Sequence, residues 1–226
     1  MSKLLAWHFV GEMLHNGDAI PADGVVLRHS GPLAMCESGL HASVRIMDAL
    51  SYAPGETVCR VECSGETIIG DGKLACRKRQ ILWRLDATEV LREFARWCAL
   101  SVIDLWDAPA IAREYLSTGD ESKRAAARAA ALAAEQHSAR DVARVAARAA
   151  ALAAAGGSEW HAARHATRHV ARAAALAAAL AAARVAARDV ALDAQNQKLA
   201  AMVVDAHKQM NLIRREASCQ NRGASR

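Results

Sequence analysis

Cys36-Glu37-Ser38-Gly39-Leu40-His41-Ala42-Ser43 sets a histidine just past a glycine break in one short stretch. A short apolar strand that breaks at Gly39 and runs on into a helix would carry His41 on its turn, where an imidazole can donate, accept or move a proton. A second histidine, His8, lies in the apolar run Leu4–Val10, and an acid, Asp71, sits in the glycine turn Gly70-Asp71-Gly72. Three consecutive cations, Arg77-Lys78-Arg79, precede an apolar run and could meet a pyrophosphate or a nucleic-acid backbone, or stay solvated. Cys59 and Cys63 share a strand face but stand too far apart for one zinc site unless the strand bends. His161, His165 and His169 fall on one helical row, which could hold a metal or simply be solvated. The sequence contains no Walker loop, no G-x-G-x-x-G and no G-x-S-x-G.

The elements that would position these residues can be read from periodicity. Leu4–Val10, Val25–Leu27, Leu40–Ala42, Thr57–Cys63 and Gln80–Leu85 read as strands, with turns at Gly17-Asp18, Ala22-Asp23-Gly24, Ser64-Gly65 and Gly70-Asp71-Gly72. Thr57–Cys63 alternates, with Val58, Arg60 and Glu62 on one side and Cys59, Val61 and Cys63 on the other. Ser43 is expected to cap a short helix through Ile46, Ala49 and Leu50 that ends at Pro54-Gly55. Asp86 is expected to cap a helix from about Thr88 to Ile103, buried through Val90, Leu91, Phe94, Trp97 and Cys98. A second helix starts near Pro109, and Gly119 stops it. A small sheet followed by helices makes residues 1–118 an α+β domain.

Residues 119–213 form an Ala/Arg-rich helical repeat region. The unit R-x-x-A-R-x-x-A-L-x-A-x starts at Arg124, Arg144, Arg168 and Arg184, so a four-residue rhythm sets sloping Arg rows along helices. Breaks are expected at His137-Ser138 and Gly156-Gly157-Ser158, giving antiparallel helices whose last member runs from about Ser158 past Met210. Leu192, Leu199, Val203, Ala206, Met210 and Ile213 follow heptad spacing with Asn196 in the seam. That seam either joins two copies of the chain or packs on the Phe94 and Trp97 helix of its own. Residues 214–226 read as a basic tail.

Apolar residues make up 53% of the 226, but aromatics only 4%, because alanine supplies much of the apolar count and buries little area. The net charge of +5 permits an anionic partner without demanding one. The six cysteines form no C-x-x-C pair, and no secretory signal is read at the start. Arginines interrupt every Ala-rich stretch, so no membrane span is expected. A reduced, cytoplasmic, soluble protein is the expectation.

Trp7-His8, Gly39-Leu40-His41-Ala42-Ser43, Asp48-Ala49 with Tyr52, Val58–Glu62 and Ser64-Gly65-Glu66 occur in an order that resembles ADP-ribosyltransferase domains, in particular the small bacterial enzymes that modify rifamycin. The likeness covers about residues 4–86. It implies that His8 holds the nicotinamide ribose of NAD, that His41 stacks on nicotinamide where the family has Tyr, and that Asp71 stabilises the oxocarbenium-like centre. Glu66 and Gln80 compete with Asp71 for the acidic position. Trp7, Tyr52, Arg77 and Arg79 would then line the NAD cleft. A relative with these departures can be non-catalytic. The whole chain also resembles an uncharacterised family met in phage and prophage sequences, which places it in a bacterial or phage-infected host.

Three functions follow as expectations. One is an NAD-binding ADP-ribosyltransferase-like protein with a helical assembly module, a protein target and self-association through the C-terminal helix. Another is a non-enzymatic phage structural or interaction protein. The third is a nucleic-acid binder through the Arg rows. It is the least favoured, since the rows lack the interleaved aromatics that stack single strands, though phosphate contact through helix faces remains open.

Overall fold

The computed structural model describes residues 3–14, 17–138, 140–155, 159–177 and 181–223. The chain is α+β, an antiparallel sheet in the N-terminal half followed by helices. The strands are β1 (Leu4–Val10), β2 (Val26–Arg28), β3 (Leu40–Ala42), β4 (Thr57–Ile69) and β5 (Leu74–Asp86). Their order is β1-β4-β5-β2, and β3 pairs with β5 beside β2. The helices are α1 (Ile46–Ser51), α2 (Thr88–Leu100), α3 (Ala110–Thr118), α4 (Arg124–His137), α5 (Asp141–Ala153), α6 (Glu159–Ala177) and α7 (Ala181–Gly223).

Residue alternation gives the sheet two different faces. Trp7, Phe9, Val58 and Leu85 join the helices in one apolar cluster. Ala6, Val10, Cys59, Val61, Cys63 and Ile81 form a second cluster on the other face, against which Ile20 and Leu40 pack. β4 and β5 run longer than the apolar pattern predicts. Ser64-Gly65 is a bulge inside β4 and not a turn: the register shifts between Ser64 and Thr67, and Gly65 takes φ +83°.

Asp86, expected as the cap of α2, stands one residue ahead of the N-cap, Ala87, which makes no side-chain cap; its Oδ1 still accepts from the Thr88 N–H at 3.0 Å. Ser43 does not cap α1. Its hydroxyl donates to the Gly72 carbonyl at 2.7 Å and ties α1's approach to the β4–β5 hairpin. Gly119 closes α3 in the left-handed region at φ +71°.

The larger apolar cluster runs without interruption from β1 through α1, α2 and α3 into the Ala-rich helices. Ala146, Ala147, Ala150, Ala163 and Ala166 are buried between helices, where the small side chain lets backbones approach closely. Ser138 separates α4 from α5, as the sequence implies. The Gly156-Gly157-Ser158 break lies outside the described residues. The single helix expected from about Ser158 past Met210 is two, α6 and α7, which pack on each other. Residues 214–223, expected as a basic tail, continue α7.

The seam of α7 is spent largely within the chain. Leu199 and Val203 are fully buried, Asn196 Oδ1 accepts from the Met47 N–H at 3.3 Å, and Lys198 lies over the Trp97 ring. Arg45 pairs with Asp193 at 2.8 Å, and Trp83 stacks on His207 with centroids 4.0 Å apart. Among the described residues, no helix is long and apolar enough to cross a membrane.

Candidate functional site

His8 and His41 reach the same place from different strands. β3 can join β5 because Gly39 adopts φ +117°, and an added Cβ there would meet the Leu33 side chain at 2.8 Å and Ala75 at 3.3 Å. That pairing sets His41 opposite Ala75. Just beyond β3, Trp7 and Ser43 exchange backbone hydrogen bonds at 2.7 and 2.9 Å, which brings the end of β3 beside β1 and its His8. Between them opens a cavity of about 420 Å³, lined by His8, His41, Cys36, Tyr52, Lys73, Met13 and several apolar neighbours. That volume lies in the range of small-ligand pockets, roughly 300–1,000 Å³.

The electrostatics disfavour the charged form of both imidazoles. Burial, reinforced by the Arg79 and His41 charges, holds His8 well below the usual histidine range. Burial also lowers His41, with Lys73 and Arg79 adding to the effect. The backbone N–H of Cys36 donates to His41 Nε2 at 3.2 Å, so that nitrogen is the acceptor and Nδ1 carries the proton. Two neutral rings of this kind can hydrogen-bond a ligand in either sense, but at neutral pH His8 is a weak base.

Cations surround the histidines. Lys73 Nζ lies 4.1 Å from the centre of the Tyr52 ring, and both line the cavity. Arg79 is only 5% exposed and donates to the His41 carbonyl; its Nε has no partner. The described lining contains no carboxylate. A ligand carrying negative charge or carbonyl acceptors therefore suits the site better than a cation.

Of the residues singled out in the sequence, His8, His41, Trp7 and Tyr52 line one cavity. Trp7 belongs mainly to the other face, where Arg60 lies over its ring at 4.3 Å and Trp83 meets it edge-on. Asp71 is exposed at the β4–β5 turn and does not line the cavity. Its charge adds to burial in raising the Asp48 carboxyl, partly offset by Arg45. Arg77 also stays outside, because it is committed to Glu66 at 2.8 Å and to the Gly31 carbonyl. Arg79 acts behind the cavity wall through the His41 carbonyl. Among the described residues, no group of three or more His, Cys, Asp or Glu is arranged to hold a metal.

Sequence reasoning missed Cys36 and Lys73. Cys36 is exposed, lines the cavity and takes φ +67°, unusual for a residue with a Cβ. Its place in the Cys36–Ser43 stretch was visible, but the turn that folds it back onto His41 was not. Cys59, Cys63, Cys76 and Cys98 are buried, and burial pushes the Cys59 thiol up to about 11.

Residues 12–93 match the model of a domain of unknown function (DUF7666). The matched stretch includes Cys36, His41, Tyr52, Lys73 and Arg79, and begins just after β1 with its His8. No curated protein and no solved structure matches the chain.

Proposed function

We propose that the sheet domain binds a small molecule in the His8–His41 cavity, and that the nicotinamide end of NAD is its ligand, as the resemblance to ADP-ribosyltransferase domains implies. The observation that carries this reading is the meeting of His8 and His41, found on separate strands, at one cavity of ligand size. In this reading the neutral imidazoles hydrogen-bond the ribose and carboxamide, Tyr52 offers a ring face at the rim, and Lys73 attracts the phosphates. The proposal is binding without transfer, because Asp71, the candidate for the stabilising acid, lies outside the lining. That same observation favours the second reading, a non-enzymatic phage-type interaction protein.

Calorimetric titration of the full chain tests the first reading. NAD should bind with a Kd below about 1 mM, and His8→Ala should weaken it at least about tenfold, a loss near 1.4 kcal/mol. No heat with NAD, from a chain whose circular dichroism is native, sinks the NAD reading and leaves the interaction protein.

Self-association stays part of the proposal only through the distal end of α7, where Leu212 and Ile213 are exposed. A protein target and a cytoplasmic setting in a bacterial host go with the same reading.

A further inference from the structure

One face of α6 is entirely basic. His161, Arg164, His165, Arg168, His169 and Arg172 recur at steps of three and one, which is the spacing of a single stripe on an α-helix. The opposite face, with Ala162, Ala163, Ala166, Val170 and Ala173, is buried. The helix has one acid, Glu159, and it is buried against Arg92 and Arg124 at 3.0 and 3.2 Å. From α5, Arg148 adds to the positive field that lowers His165 and His169. The carboxylate that reaches this region, Glu135 on α4, is already paired with Arg148 at 3.3 Å. Arg164 donates to the Ser51 carbonyl and lies over Trp160. Arg168 and Arg172 are exposed and meet no carboxylate among the described residues.

From these observations we infer that the basic face of α6 is a docking surface for the phosphate backbone of a nucleic-acid duplex. The stripe spans about 16 Å of helix, over which one strand of a duplex presents roughly five phosphates. Its chemistry separates the possible polyanions. A membrane-surface helix buries an apolar face in lipid, but the apolar face of α6 is packed inside the protein. An acidic protein partner would need an apolar patch at the centre of its interface, and the stripe offers only Trp160, whose ring is covered by His161 and Arg164. Phosphates need neither. Arginine suits them, since its fork donates two hydrogen bonds to one group. The surface is independent of the cavity, so NAD binding and duplex binding stand or fall separately.

Fluorescence anisotropy of a labelled 20-base-pair DNA duplex with the full chain tests this. Binding should weaken with a slope of about −2.7 in log K against log salt, about 40-fold between 50 and 200 mM, as phosphates neutralised by the three arginines of the stripe require. Arg168→Glu with Arg172→Glu should abolish binding, and the corresponding double Gln variant should weaken it about tenfold, with circular dichroism unchanged in both. Absence of binding at 50 mM salt, or equal binding by the wild-type and Glu variants, overturns the proposal. So does stripe-dependent binding to polyglutamate or to anionic phospholipid vesicles as tight as that to the duplex.

Discussion

Leu199→Asp together with Val203→Asp unfolds the protein, where a seam facing a second copy of the chain would yield a folded monomer. Both side chains are fully buried in the cluster that α7 shares with α1, α2 and α6. Removing apolar atoms alone is expensive, since Leu199→Ala should cost about 2–5 kcal/mol through lost burial and a residual cavity. Two buried aspartates add desolvation that nothing nearby repays. Set against a total stability of about 5–15 kcal/mol, the double variant should show no cooperative urea transition at 25 °C. A folded variant with native helicity and a smaller sedimentation coefficient would return the seam to an interface between copies.

Glu159→Ala should be the largest single-charge effect in the chain. Glu159 Oε1 accepts from Arg92 Nε and Nη2 at 3.2 and 3.0 Å and from Arg124 Nη2 at 3.2 Å, with its side chain 5% exposed. Its own N–H donates to Glu56 Oε1 at 2.8 Å, and Glu56 Oε2 accepts from the Thr88 hydroxyl at 3.1 Å. The first turn of α6 is thereby fastened to α2, to α4 and to the segment before β4. The Glu159 hydrogen bond is also the leading reason that the Arg92 guanidinium is held above its usual range.

Truncating one partner of a buried ion pair costs about 3–5 kcal/mol. Arg92 and Arg124 keep partial solvent access and have Glu89 and Glu121 as alternatives, so about 2–3 kcal/mol is expected here. Glu159→Gln keeps an acceptor oxygen and should lose about half of that. Urea denaturation measures both. A loss for Glu159→Ala no larger than that for Glu89→Ala would mean that the network is incidental.

Local chemistry made much of the sheet legible. The Leu4–Val10 run and the alternation of Thr57–Cys63 are nearest-neighbour effects, and each appears where the residues imply. What failed depended on distant partners. Gly65 looks like a turn until β5 pairs across it, and Ser43 looks like a cap, but α1 starts only at Ile46 behind Arg45, and the Ser43 hydroxyl donates to the Gly72 carbonyl. The heptad seam was visible in α7, but a seam does not say which surface fills it. The α1 and α2 helices fill it here because Asn196 finds the Met47 N–H and Lys198 finds the Trp97 ring.

The cavity was legible in part for the same reason. Histidine and glycine types marked His8 and His41, and pairing through β3 and Ser43 united them. Cys36 carried no such mark, because its position depends on a left-handed turn in a residue that is not glycine. Asp71 and Arg77 were plausible by sequence order alone. Asp71 sits exposed at the β4–β5 turn and Arg77 is paired with Glu66, and neither lines the cavity.

Cys36 gives the most direct test of the central claim, since it is exposed, lines the cavity and binds His41 through its backbone. The measurement is the rate of Cys36 alkylation by iodoacetamide, read by peptide mass spectrometry with and without 5 mM NAD, about fivefold above the weakest Kd expected. The cavity account predicts that NAD slows Cys36 alkylation at least about fivefold in the native protein, by simple occupancy, and that His8→Ala needs at least about tenfold more NAD for the same protection. An identical Cys36 rate with and without NAD in the native protein would contradict it.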